Sequence, residues 1–497
     1  MADPAGATSG GALRTLSFHT IVYLVGQLAS RLAAFFLLPL FTPLLTREDY
    51  GRLEIADFVL LLALQLVGFQ LDAALTRFHS RAGDPARKRD VVSTCFRAVT
   101  LLACLAGGAL YAAAEPIARF AFGSSEDARL VRLVAVVLTA TCVVEVALSV
   151  LKAEQRSFAN TTVSLLRLVL ELTAKIVLVV GFALGAFGVL AGQAAVAAFG
   201  ALVAAAWLTV RHRGRFDVGL LRELLVFSAP MVVSGLCQFA LHTSDRWLLN
   251  TFCGLGDTGL YGIGYKFGYA VNAVVLSAFL LIWYPYIFAL NDERERRDVI
   301  GRALVHIPAL VTGLSLPLVL LSPELVSLFT DAHFHDAWRF VPVVAFAYVF
   351  WAAFQIAQTP FYVHGLTRAV PRLVLLAAVV NIGLNVLLLP TFGVDAAAWT
   401  TAIALAVLAG ETWRTASKLE AMPLRWSRIV FPLACWIAAL TACFALDPRA
   451  PSSLPLRVLL ALIAPVALFF VQLDGGERAR ILQMVRSSLR RRGPEHG

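Results

Sequence analysis

A chain of 497 residues that is 59% hydrophobic and only 15% charged is too apolar to fold as a soluble protein of this size. Its mean hydropathy of +0.77 comes from long apolar runs separated by short charged or Gly/Pro-containing breaks, which suits transmembrane helices and not the short alternating strands of an outer-membrane barrel. The net charge of +10 needs no nucleic-acid partner, because Lys and Arg gather in the breaks between the apolar runs.

In chain order, a polar tail (residues 1–16) leads into about fourteen predicted transmembrane helices. They cover 17–45, 54–78, 91–118, 130–151, 159–184, 187–210, 224–250, 259–289, 302–328, 340–363, 372–391, 394–416, 427–446 and 455–473. The first run is too long for the core of a signal peptide and is expected to be retained. The expected fold is an all-α polytopic membrane protein. Its expected parts are an N-lobe (17–210, helices one to six), a linker (211–223), a C-lobe (224–416, helices seven to twelve), two further helices (427–473) and a basic tail (474–497).

Orientation follows from the basic residues. With the N-terminus in the cytoplasm, the Arg77 to Arg89 cluster, Lys152 and Arg156, the arginines from Arg211 to Arg222 and from Arg294 to Arg302, and those of the C-terminal tail all fall on the cytoplasmic side. The opposite side keeps a minority, among them Arg47, Arg52 and Arg457. The positive-inside rule therefore puts both termini in the cytoplasm of a bacterial inner-membrane protein.

Six basic residues remain within or at the ends of helices: Arg31, Arg97, Arg167, Lys175, Arg246 and Lys266. Arg167, Glu171 and Lys175 recur every four residues and so share one face of helix five. Set against Asp72, Glu145, Glu171 and Asp245, these cations would cost on the order of 15 kcal/mol or more if left facing lipid. The helices are expected to enclose a hydrated, net-basic cavity.

The chain also repeats itself. Tyr50-Gly51, Arg89-Asp90-Val91 and Phe187-Gly188-Val189 return as Tyr261-Gly262, Arg297-Asp298-Val299 and Phe392-Gly393-Val394, at offsets of 211, 208 and 205 residues. Three matches in the same order predict two copies of one six-helix unit. An even number of helices per copy keeps both copies in one orientation, and transporters built from such parallel repeats bind substrate between the halves.

Catalytic chemistry is hard to place. No nucleotide-binding loop and no Ser/His/Asp arrangement is present, and the seven cysteines lie in or beside apolar runs without metal-ligand spacing. His333-Phe334-His335-Asp336 reads as an exposed loop, not a metal site. No enzyme, metal or cofactor is expected.

Four stretches carry a family resemblance: LLPLFTPLLTREDYG (Leu37 to Gly51), FSAPMVVSGLCQFALHTSDRWLL (Phe227 to Leu249), GLYGIGYKFG (Gly259 to Gly268) and VNIGLNVLLLPTFGVDAAAWTTAIA (Val380 to Ala404). They resemble the polysaccharide and O-antigen flippases of the multidrug/oligosaccharidyl-lipid/polysaccharide exporter superfamily. The resemblance implies a V-shaped pair of six-helix lobes that moves an undecaprenyl-pyrophosphate-linked oligosaccharide across the inner membrane by alternating access. It implies as partners the lipid-linked glycan, membrane lipids, and the polymerase and glycosyltransferases of the same pathway. Alternatives within the superfamily are a lipid II flippase, in which the last two helices form a groove for the lipid tail, and a cation-coupled multidrug antiporter.

Arginine suits such a substrate because its planar fork binds two phosphate oxygens. Arg31, Arg246 and Lys266 are the expected headgroup contacts, with Arg167 and Lys175 as a second patch. Asp245, Glu171, Glu145 and Asp72 are expected either to balance these charges or to take a coupling ion, H+ or Na+.

Overall fold

The computed structural model describes residues 35, 37–68, 70–422, 426–445 and 451–472. Arg31, most of the first expected helix and both terminal tails lie outside them. The described residues are helical, with no strand among them. Eleven helical spans among them are long and apolar enough to cross a membrane. Each of the thirteen expected segments after the first meets a helix here. The segments around 157–181 and 395–416 are helical but are not among the eleven.

The chain forms two compact units. The first gathers Met1–Ile263, Leu328–His335 and Val370–Thr400, and the second Gly264–Ser327, Asp336–Ala369 and Thr401–Gly497.

In the first unit, a single turn at Leu38–Phe41 is followed by α1 (Arg47–Val67), α2 (Leu71–Arg81), α3 (Pro85–Ala112), α4 (Ala114–Phe122), α5 (Ala128–Ala153), α6 (Ser157–Ile176), α7 (Gly185–Arg211) and α8 (Val218–Cys253). The helix α5 is the axis of this unit. It is largely apolar, with Val131, Val134, Leu138, Val143, Val146 and Val150 all buried, and a helix of that kind belongs in a core. Ile55 and Leu60 of α1, Leu71 and Leu75 of α2, Val92 and Val99 of α3 and Leu190 of α7 close around it.

Helix α9 (Leu255–Val271) starts in the first unit and ends in the second. Beyond it lie a π-helical turn at Asn272–Leu276, α10 (Ser277–Ala289), α11 (Glu293–Leu320), α12 (Ser322–Phe329), α13 (Phe340–Ala357) and α14 (Thr359–Val363). Then follow α15 (Ala369–Phe392), α16 (Asp395–Ala416), α17 (Trp426–Ala445) and α18 (Leu454–Gln472). The second unit has its own core, in which Val311, Leu316 and Val319 of α11 meet Ala345 and Ala352 of α13, Trp436 of α17 and Leu468 of α18.

The helix starts follow from local chemistry. Thr46 and Asp49 form a capping box ahead of α1, with Asp49 N donating to the Thr46 hydroxyl at 3.1 Å and Thr46 N donating to the Asp49 carboxylate at 3.2 Å. Asp84 and Asp292, 208 residues apart, cap α3 and α11, two helices of 28 residues each. Arg89-Asp90-Val91 and Arg297-Asp298-Val299 therefore occupy the same turn of their helices. Phe187-Gly188-Val189 lies within the first turns of α7, after the reversal that Ala183 and Gly185 make at φ 52 and 58. Arg47 and Arg52, expected in a connecting segment, belong to α1, since the capping box starts that helix seven residues earlier than the apolar run suggests.

Glycine sets one crossing. A Cβ on Gly51 of α1 would fall 2.0 Å from the Leu255 carbonyl oxygen, and one on Gly259 of α9 would fall 2.0 Å from that of Arg47. Small residues at such points let two membrane helices touch backbone to backbone. Replacing Gly259 with Ala should lower the thermal-unfolding midpoint of the purified protein by the equivalent of about 1–3 kcal/mol, the usual cost of overpacking. Gly383→Ala, where a Cβ meets nothing within 4 Å, is the control. Equal midpoints for the two variants would refute the close approach.

Candidate functional site

The SDR stretch ends up in a buried ionic cluster. Asp245 and Arg246 sit in the last third of α8, about 10 Å from its end at a rise of 1.5 Å per residue. Gly254, at φ 88, reverses the chain into α9. Arg246 precedes that glycine by eight residues and Tyr261 follows it by seven, so the hairpin sets them at one level. The Tyr261 hydroxyl donates to Asp245 Oδ2 at 3.2 Å, and the Arg246 guanidinium lies 5.9 Å from the Tyr261 ring centre.

Arg246 is held from three directions. Its Nη1 donates to Asp245 Oδ1 at 2.7 Å and to the His242 carbonyl at 2.6 Å, and its Nε lies 3.7 Å from Glu54 Oε2. Glu54 comes from α1 and can approach because Gly262 has no side chain: a Cβ there would stand 2.6 Å from the Glu54 carboxyl carbon. Asp245, Arg246 and Tyr261 are all buried. One guanidinium thus faces two carboxylates, and the three groups together carry a formal charge of minus one.

The second expected patch is also paired. Arg167 Nη1 lies 3.7 Å from Glu145 Oε1 of α5, and Lys175 Nζ donates to Glu171 Oε1 at 2.6 Å, one turn earlier on α6. The structure thus brings Arg167 to Glu145 and Lys175 to Glu171. Arg167 also borders an apolar cleft of about 390 Å³ between α5, α6 and α7, lined by Leu148, Leu166, Phe199 and Trp207. Asp72 stands exposed at the start of α2, and Lys266 is exposed on the part of α9 that belongs to the second unit.

Some ionic groups gave no sequence signal as sites. Glu54 sits close to the predicted start of a helix, where a charge is unremarked, and only the α1/α9 crossing turns it inward. In the second unit, Arg457 was expected at a helix end but is buried in the first turn of α18, its Nη1 3.0 Å from Glu324 Oε2 of α12. The Glu420 side chain, fully buried, draws Arg296 Nε to 3.3 Å, His364 Nε2 to 3.4 Å and Arg297 Nε to 4.0 Å, tying the start of α11 to the segment after α16. Asn385 bridges Asn381 and Thr400 in the first unit, accepting from the Thr400 hydroxyl at 2.8 Å.

At the Thr42 to Leu45 turn, the His333 ring bridges the Asp331 carboxylate at 2.6 Å and the Leu45 carbonyl at 3.2 Å. That bond holds the Asp331 carboxyl below its ordinary range. Among the described residues, no group of three or more His, Cys, Asp or Glu is placed to hold a metal ion.

Long apolar helices that pair their intramembrane charges internally define a multi-pass membrane protein. Residues 18–291 match the family described as polysaccharide biosynthesis protein, and the chain belongs to that family. It is 26% identical over 302 residues to the succinoglycan biosynthesis transport protein ExoT of Rhizobium meliloti, a match that spans 60% of this chain and 57% of that protein. In fold it is similar to the lipid II flippase MurJ in an inward closed conformation, with a TM-score of 0.72 and 11% identity, over 91% of this chain and 98% of that one. It is also similar to a multidrug resistance MATE family transporter of the MOP superfamily in an inward-facing conformation, with a TM-score of 0.57 and 14% identity, over 80% and 94% of the two chains. The fold is that of this group of transporters.

Removing Arg246 would leave two carboxylates without their shared cation. Arg246→Ala should therefore cost about 3–5 kcal/mol of stability, as the loss of one partner from a buried ion pair does. Adding Asp245→Asn should restore part of the thermal-unfolding midpoint. A double variant no more stable than Arg246→Ala alone would show that Asp245 and Arg246 are not coupled.

Proposed function

We propose that the chain is a flippase that carries an undecaprenyl-pyrophosphate-linked oligosaccharide, an O-antigen or exopolysaccharide repeat unit, across the bacterial inner membrane by alternating access, with both termini in the cytoplasm. The observation that carries this reading is the match of residues 18–291 to a polysaccharide biosynthesis family in a chain whose described residues include eleven apolar spans long enough to cross a membrane. The printed function of ExoT, succinoglycan transport, supports it. On this reading the protein moves its substrate and does no covalent chemistry on it. Two copies of one six-helix unit, fourteen helices in all, fit the equivalent caps at Asp84 and Asp292.

The intramembrane cations supply what a pyrophosphate headgroup needs, charge-assisted hydrogen bonds away from water. Arg31, Arg246 and Lys266 are proposed as headgroup contacts. Arg246 is already paired, so a phosphate oxygen would replace a carboxylate, and Glu54, at 3.7 Å, is the partner to be displaced. A proton or sodium ion taken up by Glu54 or Asp245 at that moment would couple the exchange to an ion gradient. Arg167 and Lys175 form the second patch, with Glu145 and Glu171 balancing them.

Proteoliposomes loaded with a fluorescent polyprenyl-pyrophosphate disaccharide on one leaflet test this directly. Protein should speed transfer to the other leaflet. Lys266→Ala should slow it about tenfold, the worth of one hydrogen bond to a charged group, and Lys266→Arg should restore it. Transfer no faster than in protein-free vesicles would sink the reading.

A further inference from the structure

At one end of the first unit, the ends of α2, α3, α5 and α7 surround a cavity of about 720 Å³ that the transport reading does not use. Lys88 and Arg89 line it from the first two turns of α3, and Arg211 from the last residue of α7. Among the described residues, none of these three side chains has an ion-pair partner. His79, near the end of α2, and His212, just past α7, complete the wall, only 6% and 8% exposed.

His79 Nδ1 and His212 Nε2 are buried without a hydrogen-bond partner. A buried polar atom left in that state costs about 1–3 kcal/mol, which a phosphate oxygen offsets once the ring turns that nitrogen to the cavity surface. The one carboxylate in the wall, Glu154, has Oε1 3.8 Å from His212 Nε2 and Oε2 3.7 Å from Arg156 Nη1. Arg156 offsets its charge, which leaves the cavity net basic. Burial holds the His212 imidazole below its ordinary value of 6.5, against the opposing pull of Glu154. At neutral pH the ring is neutral and still has one N–H to donate.

The wall is built in advance. The segment after His212 is fixed onto α3: Ser93 Oγ donates to the Gly214 carbonyl at 3.0 Å, Arg215 N donates to Asp90 Oδ1 at 2.7 Å, and Asp217 N donates to the Thr94 hydroxyl at 3.1 Å. Arg87 pairs with Asp217 at 2.9 Å. Gly214 allows this because a Cβ there would stand 2.3 Å from the Arg89 carbonyl oxygen. Across the cavity, Gln155 holds a left-handed backbone at φ 57 that caps the end of α5, with its own N donating to the Lys152 carbonyl at 3.0 Å and Arg156 N to the Leu151 carbonyl at 2.8 Å.

We propose that this cavity binds a phosphate-bearing anion, with Lys88, Arg89 and Arg211 supplying charge and His79 and His212 donating ring N–H bonds. The ligand class is a phosphate or pyrophosphate group, either free in solution or as the headgroup of a lipid. The proposal rests on the cavity alone and not on the transport reading.

The full-length protein in nanodiscs, titrated calorimetrically with inorganic pyrophosphate and separately with farnesyl pyrophosphate, tests it. Arg211→Gln and Lys88→Gln should each weaken binding about tenfold, as the loss of one bond to a charged group does. His212→Ala should do the same, with its unliganded unfolding midpoint checked against wild type. Arg213→Gln, in the same loop but outside the cavity, should change nothing. Equal affinity for both probes identifies the free anion. A tenfold or larger preference for farnesyl pyrophosphate that Arg211→Gln removes identifies the lipid headgroup, on the scale of about 1.4 kcal/mol per tenfold. No binding of either probe at millimolar concentration, or an equal loss in Arg213→Gln and Arg211→Gln, would overturn the site.

Discussion

A charge at bilayer depth must find its counter-charge inside the protein, and much of this structure follows from that one requirement. A lipid-facing charge at mid-membrane costs about 2.5–3.5 kcal/mol even on lenient scales. The helices answer with internal pairs. Arg246 meets Asp245 and Glu54, Arg167 meets Glu145, Lys175 meets Glu171, and Arg457 meets Glu324. Apart from Arg246 with its chain neighbour Asp245, each pair joins two helices or two turns of one helix, so it fixes a register as well as a charge.

The Arg246–Glu54 contact depends on backbone proximity that only small residues permit. Glu54 reaches the α8/α9 hairpin because Gly51 and Gly259 let α1 and α9 touch and because Gly262 leaves room for its carboxylate. Packing in lipid gains little from burying apolar groups, since the lipid is equally apolar, so close contact between helices and internal polar bonds carry more of the load. The α1/α9 crossing combines both. A larger residue at any of the three glycines would move Glu54 and so leave Arg246 with a different charge balance.

Much of the architecture was legible in the sequence because apolar run length and charge placement report directly on membrane crossing. The capping aspartates, the α8/α9 hairpin and the Asp245-Arg246 pair all lay in stretches the sequence marks. The Glu171–Lys175 pair was readable too, since helical spacing alone sets it. What could not be read were partners supplied by distant segments. Glu54 lies almost two hundred residues from Arg246, and its own neighbourhood looks like an ordinary helix start. Glu420 gathers Arg296, Arg297 and His364 from more than fifty residues away. Spacing along a helix predicts i, i+4 pairs, whereas pairs made by a tertiary crossing carry no local signature.

If the protein works as proposed, the charge balance also bears on how it would treat an anionic substrate. A solitary buried arginine would bind phosphate strongly and release it slowly. Arg246 is not solitary: it already holds Asp245 at 2.7 Å, with Glu54 at 3.7 Å. On the proposed reading, headgroup binding there exchanges one anion for another, so the gain is only the difference between two contacts of the same type. A carrier must release on the far side what it captured on the near side, and sites that conduct bind well enough to admit a charge but weakly enough to let it leave. A paired arginine meets both conditions, and the partner it gives up is a group to which an ion gradient can be coupled.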